Sequence, residues 1–268
     1  MTANHAARPS SSFDEILLAV SGMTKTFGGS RGCDDISFTL CAGEVLGIVG
    51  ESGSGKSTVI NCLAGHLAPD AGEIQYHSRE GVVDFRRASE VQRRRLARRE
   101  LGVVHQNAVT GLRMHITAGG NIGERLMANG ERHYGRIRQK AVNWLERVEI
   151  AAARVDDAPC TFSGGMQQRL QIARCLVTRP RLIFMDEPTT GLDVSVQARL
   201  LDILRSLVQE LRLSMIMVTH DLAVARLLAR RLMVMKGGQV VEAGLTDQIL
   251  DDPQAPYTQL LVSSILQG

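Results

Sequence analysis

The residues with the most pointed chemistry in this chain are Gly50, Glu51, Ser52, Gly53, Ser54, Gly55, Lys56, Ser57 and Thr58. They fill every position of a G-x-x-x-x-G-K-[ST] spacing, with the apolar run 45–49 before them and the helical run 59–64 after them. Glycines bend a backbone tightly enough for successive N–H groups to converge, and a helix that starts just beyond them adds the positive end of its dipole. Such a loop holds a phosphate anion. A helix terminus contributes only about 0.3–1 kcal/mol to a charge, whereas micromolar binding needs about 8 kcal/mol. The Lys56 ammonium and a metal must therefore supply most of the rest, and the Ser57 hydroxyl with phosphate oxygens suits Mg2+.

Further polar residues sit where strands should end. The apolar run Leu182 to Met185 closes on Asp186 and Glu187. Asp186 stands where a strand end holds magnesium, and strand alternation sends Glu187 to the other side, toward a reacting phosphate. The buried-type strand 214–219 delivers His220 at its carboxyl end, where open α/β sheets bind ligands. Another strand, 101–105, delivers Gln106, a polar residue able to reach the metal or an attacking water. Phe27 precedes a Gly28-Gly29 turn, and its ring is read either as a platform for adenine or as a small packing cap. In Ser163-Gly164-Gly165-Met166-Gln167, Ser163 is a plausible N-cap and the glycines uncover first-turn N–H groups. That is a second anion-ready helix start. Asp193, after Gly191-Leu192, opens a helix with apolar positions at helical spacing through Leu211.

The elements that must position these residues alternate between strand and helix, which predicts an α/β fold. Short strands are expected at 16–20 and 36–40, strand character over 72–85 and a helix over 88–100. Residues 107–178 become helical and interrupted, an inserted arm with helices expected over 116–128 and 136–148. The core then comprises 16–106 and 179–268, preceded by a loose polar tail at 1–15 without the apolar centre of a signal peptide. A net charge of +3 implies no polyanion partner. The Arg93, Arg94, Arg95, Arg98, Arg99 run has no interleaved aromatics and reads as a solvated helix face, not a nucleic-acid surface. No apolar run approaches the roughly 18–20 residues that span a bilayer, so a cytoplasmic protein without direct membrane insertion is expected. Cys33, Cys41, Cys62, Cys160 and Cys175 fall in no metal spacing and read as reduced, mostly packed thiols.

Taken in order, the phosphate loop, Gln106, Ser163 to Gln167, Asp186-Glu187, Asp193 and His220 resemble the ATP-binding cassette ATPases from about Ile16 onward. The resemblance implies a P-loop NTPase of RecA-like core, an antiparallel β subdomain and an inserted helical subdomain. It also implies ATP with Mg2+ as ligands. Ser57, Gln106 and Asp186 then lie at the metal, and Glu187, His220 and Gln106 at the reacting water and terminal phosphate. Two subunits, a homodimer or a pair of related paralogues, would sandwich two ATP molecules. Ser163 and Gly165 would then meet the phosphate held by the other subunit. Within the family, the stretches 102–107, 119–127 and 161–171 are similar to the ATP-binding subunits of phosphonate carbon-phosphorus lyase systems, which implies docking on a carbon-phosphorus lyase core complex. The tail 252–261 is shared in style with peptide and nickel importer ATPases, the rival reading; an assembly subunit that binds ATP without turnover is a third. Met166 and the 189–193 segment depart from the wider pattern without removing a phosphate ligand. Small residues at Gly119-Gly120 would let a partner approach closely, making 107–126 the expected docking face, with Leu112 on it and Arg113 and Arg125 as polar anchors.

Overall fold

The computed structural model describes residues 15–265; the loose tail expected at 1–15 lies almost wholly outside them. In chain order the chain forms β1 (Ile16–Phe27), β2 (Ser30–Cys41), β3 (Val45–Val49), α1 (Lys56–Leu63), β4 (Ala71–Ser78), β5 (Gly81–Asp84), α2 (Glu90–Arg99) and β6 (Leu101–Val104). Helices α3 (Ala108–Gly111), α4 (Ala118–Ala128), α5 (Tyr134–Arg147) and α6 (Gly164–Leu176) follow. The chain then returns through β7 (Leu182–Asp186), α7 (Val194–Leu211), β8 (Ser214–Val218), α8 (Leu222–Leu228), β9 (Arg231–Lys236), β10 (Gln239–Leu245), α9 (Thr246–Asp251) and α10 (Pro256–Ile265).

Two sheets result. A six-stranded sheet runs β10-β9-β3-β8-β7-β6, parallel except for β10, and an antiparallel sheet runs β2-β1-β4-β5. Apart from Asp186 at the end of β7 and Ser214 at the start of β8, the central strands β3, β7 and β8 are apolar throughout because both faces are covered. Leu46, Ile48, Leu182, Phe184, Ile216 and Val218 pack toward α1 and the antiparallel sheet. Their neighbours Val45, Val49, Ile183, Met185, Met215 and Met217 join the opposite core, which contains α4 to α7. The period of two is that of the strand itself.

Strands β1 and β2 extend to 12 residues each, well beyond the apolar runs that predict them. Their pairing continues through register shifts, one of them between Val20 and Met23, so bulges carry the polar and glycine positions along. Helix starts follow side-chain chemistry: Ser89 and Gln92 form a capping box on α2, Thr117 accepts from Gly120 N–H, Ser163 from Met166 N–H and Asp193 from Val196 N–H. On α2, Arg94 pairs with Glu90, Arg95 pairs with Glu80 at 2.6 Å, and Leu96 alone is buried. Cys33, Cys62 and Cys175 are buried, Cys41 is half-buried and Cys160 is exposed, and none of the five is in a disulfide. Among the described residues no helix is long and apolar enough to cross a membrane.

Candidate nucleotide site

Strand β3 ends directly in the glycine loop, and the loop needs its glycines for different reasons. Gly50 has φ +148°, and a Cβ there would lie 2.2 Å from the Met235 carbonyl oxygen. Gly55, at φ +101°, precedes α1 so closely against β2 that a Cβ would meet the Gly32 carbonyl at 2.1 Å. The Lys56 side chain is buried beneath this loop, its Nζ donating to the Gly50 and Glu51 carbonyls at 2.7 Å each. Burial pushes its pKa down, against the carboxylates of Glu187, Asp186 and Glu51. Ser52, Gly53, Gly55, Lys56, Ser57 and Thr58 line a cavity of about 310 Å³ together with Gln106, Glu187, Arg31 and Gly32. Gly50, Glu51 and Ser54 do not line it; the Ser54 carbonyl accepts from Gly238 N–H, and Glu51 N–H donates to the Tyr257 hydroxyl at 3.1 Å.

Asp186 and Glu187 face this loop in different ways. The Ser57 hydroxyl donates to Asp186 Oδ1 at 3.3 Å, and burial pushes the Asp186 carboxyl above its usual range. Glu187 is not placed by strand alternation. Strand β7 ends at Asp186, and Glu187 adopts φ +43° with its N–H on the Val218 carbonyl. A left-handed non-glycine residue costs about 1–3 kcal/mol, so this turn is held by its surroundings. Three groups meet Glu187 Oε2: the Thr190 hydroxyl at 2.8 Å, His220 Nδ1 at 3.2 Å and Gln106 Nε2 at 3.4 Å. A carboxylate only accepts, so the Nδ1 in this contact bears hydrogen.

Phe27 lies at the tip of the β1–β2 hairpin, 45% exposed, with its ring against Gly32 where a Cβ would be 2.6 Å away. Asp70 pins that tip, accepting from Lys25 Nζ and from the N–H and hydroxyl of Thr26, and these partners hold its carboxyl down at about 2.

The chain does not bring Ser163, Gly164, Gly165, Met166, Gln167 or Asp193 into its own cavity. Ser163 and Gly164 are exposed at the start of α6. Gly165 is buried against α7, where a Cβ would stand 2.2 Å from Val196 Cγ1. Gln167 Nε2 donates to the Pro159 and Phe162 carbonyls, and the Arg154 guanidinium lies 3.8 Å from Met166 Sδ. Asp193 is occupied as the cap of α7, its carboxyl held low by Val196 N–H and the Ser195 hydroxyl. Sequence reasoning missed Thr190, Tyr257 and Arg31. Their contacts cross turns or the whole chain, and only the Pro256-Tyr257 tail pattern offered a signal.

The phosphate loop, the carboxylate pair and the surrounding fold match the ABC transporter family over residues 33–190, more than half of the chain. The chain is an ABC ATPase. It is 64% identical over 252 residues to the putative phosphonates utilization ATP-binding protein PhnK of Escherichia coli K12, covering 94% of this chain and 98% of that one. With the dipeptide transport ATP-binding protein DppD of the same organism it shares 38% identity, covering 93% of this chain and 78% of that one. A dimeric ATP-binding cassette, MJ0796, in a post-hydrolysis state bound to ADP and Pi, superposes with a TM-score of 0.76 at 27% identity, over 86% of this chain and 99% of that one. An ABC ATPase binds and hydrolyses ATP.

The docking face expected over 107–126 is only partly a surface in this ABC ATPase. Leu112 is buried. The Arg125 guanidinium turns inward to the Ala97 and Leu101 carbonyls, at 3.3 and 3.2 Å. The glycines of α4 are filled from within the chain: a Cβ would meet Val155 from Gly119, Ile116 from Gly120 and Ile137 from Gly123, each below 3 Å. Arg113 alone of the two expected anchors faces solvent, paired to Glu124 at 2.6 Å.

Proposed function

We propose that this ABC ATPase hydrolyses ATP with Mg2+ at sites shared between two subunits, and that it works in the cytoplasm on the carbon-phosphorus lyase core complex of phosphonate catabolism. What supports the shared site is the α6 start, whose exposed Ser163 and Gly164 lie outside their own cavity and are open to a nucleotide held by another chain. The other chain is a second copy or a related paralogue; the similar cassette MJ0796 is a dimer.

The residues present fit magnesium. A hydroxyl and a carboxylate stand 3.3 Å apart at the cavity, and burial makes the Asp186 charge costly, a cost that an adjacent cation offsets. Among the described residues no three His, Cys, Asp or Glu side chains gather to hold a metal. The pair Ser57 and Asp186, with Gln106, is therefore the kind of partial shell that phosphate oxygens and water complete. Magnesium, when bound, neutralises charge developing on the phosphoryl oxygens. For the chain's own part, Lys56 exchanges loop carbonyls for phosphate oxygens and the loop N–H groups hold the phosphates. Glu187 polarises the attacking water, with Gln106, Thr190 and His220 fixing its carboxylate. His220 also reaches the terminal phosphate, and Phe27 supports the base.

The observation that carries the lyase reading is the 64% identity with the phosphonates utilization protein across nearly the whole of both chains. The 38% identity with a dipeptide transport protein favours the second reading, the energising subunit of a peptide- or nickel-type importer. Affinity purification from phosphonate-grown cells, with mass spectrometry of the recovered polypeptides, separates them. Recovery with carbon-phosphorus lyase core subunits from the clarified lysate is expected. Recovery with membrane permeases and without lyase subunits would transfer the chain to the importer reading.

A further inference from the structure

Helix α6 buries two neutral polar side chains among Leu170, Ile172, Ala173, Cys175 and Leu176. Gln171 is 1% exposed and Gln168 3%. Burying a carboxamide is unfavourable unless its donors and acceptor are satisfied. Both are satisfied largely by one residue of another element. Gln171 Oε1 accepts from His105 N–H at 2.7 Å, and Gln171 Nε2 donates to the His105 carbonyl at 3.1 Å. Gln168 Nε2 donates to the same carbonyl at 3.2 Å, and its Oε1 accepts from Gln171 at 3.1 Å. A strand neighbour pairs with a residue in the same double way, so Gln171 extends the pairing of β6 by one residue beyond its end at Val104. Farther on, Gly111 passes so close that a Cβ would lie 2.2 Å from Gln171 Oε1. The segment 105–111 is thus wrapped around a single carboxamide.

Gln106 is the next residue after His105, and its side chain meets Glu187. We infer that Gln171 is the positioning residue for Gln106, tying it to the helix whose N-terminus is Ser163. The cap and Gln171 are eight positions apart, roughly 12 Å along a helix that rises 1.5 Å per residue. A displacement of the Ser163 end by a nucleotide on a partner subunit therefore reaches Gln106 of the same chain through one rigid element. This inference rests on the proposed role of Gln106 in the hydrolytic site.

The test is a double-mutant cycle with Gln106→Ala. Gln171→Met removes both bonds to His105 at nearly constant length; Gln171→Glu keeps the acceptor for His105 N–H but turns a carboxylate oxygen on its carbonyl, and serves if the Met variant does not fold. ATP affinity, kcat, KM and melting temperature are measured for each. Small misplacements of a reacting group are costly, so kcat should fall by roughly tenfold or more in Gln171→Met while ATP affinity stays within about twofold. In the Gln106→Ala background the same substitution should lower kcat no further, because both changes remove one function. A multiplicative loss in the double variant, or parent-like kcat in a folded Gln171 variant, would overturn the inference and leave Gln106 in place. Parent-like kcat in Gln106→Ala alone would remove the role of Gln106 itself, and the inference with it.

Discussion

Replacing Glu187 by Gln tests the centre of the site. In the parent, one carboxylate oxygen collects Thr190, His220 and Gln106, the closest at 2.8 Å. A glutamine keeps the size and can set its one carbonyl oxygen in the place of Oε2, against the same three donors, but as a neutral acceptor. A hydrogen bond to a charged group is worth about 1.5–3 kcal/mol and a neutral one about 0.5–1.5 kcal/mol, so the substitution loosens the ordering of this cluster and leaves the glycine loop untouched. The chemical loss is larger. A positioned base contributes about 10²- to 10⁴-fold, which at 1.36 kcal/mol per tenfold is about 2.7–5.4 kcal/mol of barrier. Phosphate release under saturating ATP and magnesium should therefore fall by that factor, while ATP affinity, set by Lys56 and the loop, stays within about threefold of the parent. A variant with kcat within tenfold of the parent would refute the assignment. So would a loss of ATP binding large enough to account for the rate, since the carboxylate would then hold the loop rather than the water.

Other substitutions probe the surrounding parts. Gly164→Asp should block hydrolysis while the isolated chain still binds ATP, because it places a carboxylate at the exposed helix start with nothing nearer its Cβ than Leu192 at 3.9 Å; unchanged turnover would argue against a phosphate at that position. Gly165→Asp should also lower the melting temperature, since its Cβ meets Val196 at 2.2 Å. Asp70 has a depressed pKa of about 2, so its stabilising contribution is present above its ordinary value of 3.8 and is lost as pH falls toward 2. Melting temperatures of the parent and Asp70→Asn should therefore differ by a constant amount above about pH 5 and converge below about pH 4; a gap that persists to pH 2 would contradict the clamp. Arg125→Met should destabilise the chain by about 1–3 kcal/mol in urea unfolding, as two backbone carbonyls lose their donor; an unchanged midpoint would show that these bonds contribute nothing.

The fold was legible because its signals are periodic or local. Strands β3, β7 and β8 are apolar except at Asp186 and Ser214 since two cores cover them, and Ser163 and Asp193 declare helix starts by their own side chains. The phosphate loop was legible because its spacing is complete within nine residues and Gly50, Gly53 and Gly55 all take positive φ, although the Met235 and Gly32 carbonyls that also crowd Gly50 and Gly55 lie outside it. What stayed hidden depends on contacts between distant residues. Nothing in the neighbourhood of Glu187 announces a left-handed turn supported by Val218, and Arg125 looks like any surface cation until Ala97 and Leu101 are brought beside it. Gln171 reads as an ordinary helix residue although it shapes the segment around Gln106.

Gly164 and Gly165 look equivalent in the sequence, yet the fold explains them differently. Packing alone requires glycine at 165, where α6 presses on Val196, so its identity says nothing by itself about a nucleotide. At 164 there is room for a side chain: the position is exposed, has no positive φ and has no close neighbour. Where alanine fits without strain, glycine is less favourable by about 0.4–1 kcal/mol because the unfolded chain has more freedom to lose, and nothing inside the chain offsets that cost at 164. A requirement from outside the chain does, if a phosphate approaches the backbone there too closely for a Cβ. Gly164→Ala separates the two kinds of glycine. It should leave stability unchanged or raise it and still slow hydrolysis, whereas Gly165→Ala should lower both. Full activity in a stabilised Gly164→Ala variant would mean that no phosphate comes to the start of α6, and the shared site would lose its main structural support.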